Sequence, residues 1–159
     1  MIGAERPSGL PVQFIGERLL TTLWVGALWA IGYLAVPTLF ANLQDRIQAG
    51  MLAGHMFTAL SYIGLLCAAL LLLGELSRHG RAVTGRVRFW LLVGMALLVA
   101  VGEFWVQPMM AALKAGGLPA GSADEAAFMR LHGIAAILYL INSLAGVLLV
   151  SLDGVRRSG

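Results

Sequence analysis

The chain is poor in charge and nearly free of cysteine. Of its 159 residues only 12% are Asp, Glu, Lys or Arg, about half the share carried by a soluble globular domain. An apolar fraction of 59% leaves too little polar surface to cover a water-soluble fold, whereas a bilayer accepts apolar side chains as outer surface. Cys67 is the only cysteine, which excludes an intrachain disulfide, a zinc motif built on thiolates and a redox pair. Inside an apolar run it reads as a small core hydrophobe. There is no phosphate-cradling glycine loop, no dinucleotide fingerprint and no nucleophile–base–orienter set, so the sequence leans toward a non-enzymatic protein. The formal net charge of +3 does not point to nucleic acid. The basic residues sit in short segments between apolar runs, where they set membrane orientation and meet anionic headgroups.

What the sequence does have is four long apolar stretches. They run from Leu19 to about Phe40, from about Ile47 to Leu76, from Phe89 to about Leu113, and from Leu131 to Leu152. Each is near the ~20 residues needed to cross ~30 Å of hydrocarbon, and in lipid each must satisfy its own backbone, which makes each a helix. With flanking turns the helices are expected at about 13–41, 46–77, 87–113 and 123–153. The expected fold is all-α, an integral membrane antiparallel four-helix transmembrane bundle in one domain spanning 1–159, because short connections force neighbouring helices to run antiparallel. Asp45 with Gln48, and Ser122 with Glu125, have the spacing of capping boxes ahead of the second and fourth helices. Gly80 and Gly85 bracket one turn, and Gly116, Gly117, Pro119 and Gly121 mark another. The first apolar run is too long for a signal peptide and lacks a small-residue cleavage site after it, so it reads as a retained helix.

Orientation follows from counting Lys and Arg by side. One side holds Arg6, Arg18, Arg78, Arg81, Arg86, Arg88, Arg156 and Arg157. The other holds Arg46, Lys114 and Arg130. The Arg-rich side is expected in the cytoplasm, with both termini.

Small residues mark where transmembrane helices approach. The second helix carries Gly50 and Gly54 four apart, with Phe57, Ser61, Gly64 and Ala68 continuing the face. The fourth presents His132, Ala135, Ala136, Tyr139, Asn142, Ser143 and Gly146. Asn142, near the bilayer middle, reads as a residue that locks helices together. Ionisable residues at membrane depth are costly and therefore functional by default. Glu103 is the clearest, about 22 Å along its helix from Arg88. Tyr33 reaches a similar depth from Arg18, Gln107 lies one turn outward from Glu103, and His132 and His55 lie closer to the outer boundary. Tyr33, Glu103, Gln107 and His132 are the expected pocket for a ligand or ion. His132 with His55 could ligate a metal or haem iron. Interhelical hydrogen bonding of the same groups is the structural alternative.

Three segments carry a family likeness: "LWVGALWAIGYLAVPTLF", "AGMLAGHMFTALSYIGL" and "FMRLHGIAAILYLINSLAGVLLV". Together they resemble the bacterial membrane family called domain of unknown function 4149, which is similar to the eukaryotic transmembrane protein 205. The most specific positions are Gly50, Gly54, Phe57, Leu131, His132, Gly133 and Asn142. The resemblance implies a multi-pass protein of the bacterial inner membrane with no established biochemical activity. More distantly the chain looks like copper-resistance D type proteins and a haem-binding class of protoporphyrinogen oxidases, which raises haem or copper as cofactors. Three functions stay open: an ion or small-ligand site serving transport or stress and metal tolerance, a haem or copper redox protein, and a structural subunit. The lipid bilayer is the expected partner, together with a second copy of the chain or a larger membrane complex.

Overall fold

The computed structural model describes residues 10–155, with side chains from 14 to 152; Arg6, Arg156 and Arg157 of the orientation count lie outside them. Helix α1 runs Leu10–Trp29, passes through a π-helical turn at Ala30–Ala35 and continues as α2, Val36–Asn42. Helix α3 spans Arg46–His79 and ends in a 3-10 turn, Gly80–Gly85. Helix α4, Val87–Val101, passes through a second π-helical turn at Gly102–Val106 into α5, Gln107–Ala115. Helix α6 spans Ala123–Val155. There is no strand among the described residues.

Among the described residues four helical spans are long and apolar enough to cross a membrane: Phe14–Asn42, Arg46–Gly85, Val87–Ala115 and Ala123–Leu152. Their outward faces carry large apolar side chains that a soluble monomer would bury. Trp105 is 70% exposed, Leu34 68% and Leu19 65%, and a surface of this kind suits lipid rather than water.

The ends of the helices follow from local chemistry. Asp45 caps α3, its carboxylate accepting from the Ile47 N–H at 2.8 Å and the Gln48 N–H at 3.2 Å, which satisfies donors that have no intrahelical partner. Ahead of α6 the Ser122 hydroxyl accepts from the Glu125 N–H at 3.1 Å, while the Glu125 carboxylate reaches back to the Gly121 N–H at 2.6 Å. The reciprocal pair therefore closes one residue earlier than a standard capping box. Gly80 ends α3 with φ at +50°, a backbone angle that a side chain would oppose.

Packing closes a ring of contacts. Helix α1 meets α3 and α6, and α4 meets α3 and α6. All four spans supply the core: Trp24 and Leu28 from the first, Leu60, Cys67, Ala68 and Leu71 from the second, Leu92 and Met95 from the third, Leu149 from the fourth. Gly64 is the closest-fitting small residue of the second span in this core. A Cβ there would sit 2.5 Å from the Trp24 Nε1, so only glycine leaves room for the indole. Cys67, 2% exposed, fills core volume.

Candidate functional site

Two regions hold the polar groups of the spans, one at each end. The Arg-rich end is the more tightly built. Glu17 on α1 and Glu75 on α3 face Arg78 and His79 at the end of α3, Arg86 just after the 3-10 turn, and Arg88 at the start of α4. Glu75 is fully buried and Arg88 is 5% exposed. Arg78 lies 2.7 Å from Glu17 and 3.1 Å from Glu75. Arg88 pairs with Glu75 directly and lies 3.4 Å from Glu17. Arg86 Nε lies 3.6 Å from Glu75, and His79 Nδ1 lies 3.4 Å from the same carboxylate. The two carboxylates thus bind α1, the end of α3 and the start of α4 into one clasp. Charges this deep are tolerated where they are paired, and Arg78 and Arg88 both donate hydrogen bonds to Glu75. Glu75 and Arg78 stand three residues apart on one helix and meet by local spacing, whereas Glu17 and Arg88 come from other helices. Those contacts depend on how α1 and α4 are rotated against α3. A Cβ at Gly74 would stand 3.1 Å from a Glu17 carboxylate oxygen, which shows that Glu17 reaches across onto α3.

The opposite half carries the residues expected to form a pocket. Tyr33 lies in the first π-helical turn and Glu103 in the second. Each turn stands just ahead of a proline at the second position of the resuming helix, Pro37 in α2 and Pro108 in α5. The pairing has a physical cause. Proline has no N–H and its ring collides with the carbonyl four residues back. A wider turn moves that carbonyl away, and the Val36 and Gln107 N–H groups bond instead to Ile31 and Gly102, five residues back. Such turns are rare and often mark functional sites.

Around them the side chains are arranged unevenly. Tyr33, 44% exposed, meets Trp29 at a ring-centroid distance of 4.9 Å with the planes tilted by 38°, and lies 6.0 Å from the Tyr139 ring. The Tyr139 hydroxyl donates to the Leu28 carbonyl on α1, and its ring meets Phe57 edge-on at 5.2 Å. Gln107 faces α3, its amide nitrogen 3.8 Å from where a Gly54 Cβ would be. His132 is exposed and stacks on Phe128 at 6.2 Å, and His55 is exposed as well. Glu103 is half-buried and has no hydrogen-bond or ion-pair partner among the described residues. No hydrogen bond, ion pair or ring contact joins any two of Tyr33, Glu103, Gln107 and His132 there. Nor is any group of three His, Cys, Asp or Glu placed to hold a metal ion among the described residues.

The expected packing residues divide. Gly50 and Gly54 leave ordinary van der Waals room toward Phe40 and Gln107. Closer approaches occur at Gly64 against Trp24, Gly32 against Tyr139 and Gly146 against Val25. Asn142 is 3% exposed and its Oδ1 has no hydrogen-bond partner.

Residues 19–118 match the family model described as Domain of unknown function (DUF4149). The chain belongs to this family. The DUF4149 match covers the first span from Leu19 onward and the whole of the second and third, so it includes both π-helical turns and every clasp residue but Glu17. No curated protein and no solved structure matches the chain.

Proposed function

We propose that this DUF4149 chain is a non-enzymatic, multi-pass protein of the bacterial inner membrane that takes up a proton or small cation at Glu103. The four spans run alternately up and down, the Arg-rich end lies in the cytoplasm, and the ligand site lies in the outer half. Transport of that ion, or tolerance of a metal or stress through it, is the role such a site would serve.

The observation that carries the reading is the contrast between carboxylates. Glu17 and Glu75 are held by arginines at the Arg-rich end, whereas Glu103 lies within a span and has no protein partner among the described residues. A membrane-embedded carboxylate without a partner favours either protonation or a cation, and this is how ion and proton pathways are marked in transporters. Its place in a π-helical turn supports the same reading, because the neighbouring backbone departs from regular helix bonding. Tyr33, in the matching turn of the first span, and Gln107, one residue past the turn in the third, supply polar groups in the same half.

The test is reconstitution into liposomes loaded with a pH-sensitive dye, with proton flux driven by a potassium diffusion potential, beside calorimetric titration with copper and zinc ions. The expected result is flux or metal binding that Glu103→Gln abolishes while helical content and thermal unfolding stay as in the parent protein. Flux and binding that are both absent, or unchanged in Glu103→Gln, would overturn the reading.

A further inference from the structure

At the end opposite the clasp, α5 and α6 leave between them an open groove of about 540 Å³. Met109, Ala112 and Leu113 line it from α5, and Ala127, Arg130 and Leu131 from α6. Ala112 and Ala127 keep it open, since a larger side chain at either position would enter it. The volume falls within the range of about 300–1,000 Å³ that ligand sites occupy. Met109, Ala112 and Arg130 are exposed, so the groove lies on the outward surface of the bundle. Five apolar side chains and one guanidinium share it.

Depth decides what can enter. From Arg130 to Leu152 the α6 helix rises ~33 Å, close to the ~30 Å thickness of the hydrocarbon layer. With Leu152 at the clasp-side boundary, Arg130 stands at headgroup level of the other leaflet, and Met109 and Leu131 are the lining residues nearest the hydrocarbon. Asp124 and Glu125, the acidic residues nearest to Arg130 in sequence, stand roughly 120° and 140° around α6 from it. The Glu125 carboxylate is in addition engaged by the Gly121 N–H. Lys114 Nζ, 5.3 Å above the Phe128 ring, is a second cation at this end.

We propose that this groove holds one anionic glycerophospholipid of the leaflet opposite the clasp, its phosphate on Arg130 and the upper part of an acyl chain between α5 and α6. Charge and shape choose the occupant together. A phosphate offers oxygens that suit the planar fork of a guanidinium. The five apolar side chains suit a hydrocarbon chain, and basic pockets between transmembrane helices recognise anionic headgroups. A free anion would leave the apolar walls unused, and a zwitterionic lipid would bring its own cation toward Arg130 and Lys114. The groove does not involve Glu103, so the proposal stands or falls apart from the reading of that residue.

Native mass spectrometry of the full chain in detergent tests it, by titration with phosphatidylglycerol and with phosphatidylcholine of identical acyl chains. One phosphatidylglycerol is expected to bind per chain, about tenfold more tightly than phosphatidylcholine, the worth of one charge-assisted contact. Arg130→Gln should bring phosphatidylglycerol down to the phosphatidylcholine level. Ala112→Phe, which fills the groove from an exposed position, should weaken both lipids. Arg46→Gln, which removes a cation at the same end of the bundle but outside the groove, should leave both affinities as in the parent. Equal binding of the two lipids by the parent overturns the proposal, as does a preference that survives Arg130→Gln or falls equally in Arg46→Gln. Lipid binding untouched by Ala112→Phe overturns it too. Oleate that displaces phosphatidylglycerol at equal concentration assigns the groove to a fatty-acid anion and has the same effect. Should Ala112→Phe fail to fold, Ala127→Leu fills the groove from the opposite wall and gives the same reading.

Discussion

Arg88 Nη1 lies 3.4 Å from a carboxylate oxygen of Glu17, 71 positions earlier in the chain, and the same nitrogen contacts Glu75 on α3. A single guanidinium therefore touches both other helices of the clasp at a depth where it is 5% exposed. Removing the fully buried partner takes away the nearest counter-charge of this guanidinium. Glu75→Gln is expected to lower stability by roughly 3–5 kcal/mol, the range for breaking a buried pair. Glu17→Gln should cost less, since its side chain is 15% exposed and Glu75 remains to hold Arg88. Denaturant unfolding in detergent measures both, and a larger loss for Glu17→Gln would contradict the burial order.

Gly64 and Gly54, two of the glycines of the second span, make a matched pair of substitutions. Gly64→Ala forces a methyl group to within 2.5 Å of the Trp24 indole and is expected to cost about 1–3 kcal/mol through overpacking. Gly54→Ala meets only the end of a Gln107 side chain at 3.8 Å. It should be neutral or stabilising by up to about 1 kcal/mol, the helix-propensity gain of Ala over Gly. Thermal unfolding of the two variants in one detergent decides the comparison, and equal losses would argue against the close fit at Trp24.

The proposed orientation has its own test. Ala82 in the 3-10 turn and Ala120 in the loop before α6 are both exposed, and each accepts a cysteine without disturbing packing. A membrane-impermeant maleimide should label Ala120→Cys on intact cells and Ala82→Cys only after lysis, with the buried Cys67 unreactive in both. The reverse pattern would turn the bundle over and put Glu103 in the inner half.

Much of the helical layout could be read from residue order alone. The four apolar runs, the Asp45 cap and the turn glycines are local features, and local features survive without knowledge of neighbours. The Glu75–Arg78 pair is local in the same sense, being three residues apart on one helix. Glu17 and Arg88 are not, because each is an ordinary boundary residue until the rotation of α1 and α4 aims it at α3. The two π-helical turns were missed although Pro37 and Pro108 stood in view. A proline within an apolar run predicts a disturbance, but whether the helix kinks, breaks or widens depends on surrounding packing. Tyr33, Glu103, Gln107 and His132 could be sorted by depth from sequence, since depth is counted along a helix. Their mutual contacts depend on rotation, and the widened turns change that rotation between Glu103 and Gln107.

Each π-helical turn also holds one residue more than an α-helical turn would need. Elsewhere in a span, losing a residue swings everything beyond it by about 100° and draws it in by about 1.5 Å, turning core faces toward lipid. Within Gly102–Val106 the same loss would convert the wide turn to a regular one and leave α5 in phase with α4. Proline is what opposes this, since its ring would then meet the carbonyl that the wide turn keeps clear. Deletion of Phe104 combined with Pro108→Ala should accordingly insert and fold, whereas deletion of Leu97 in mid-helix should not, as judged by yield and monodispersity in detergent. The two turns are thus the places where a span of this chain can lose one residue without redrawing its core.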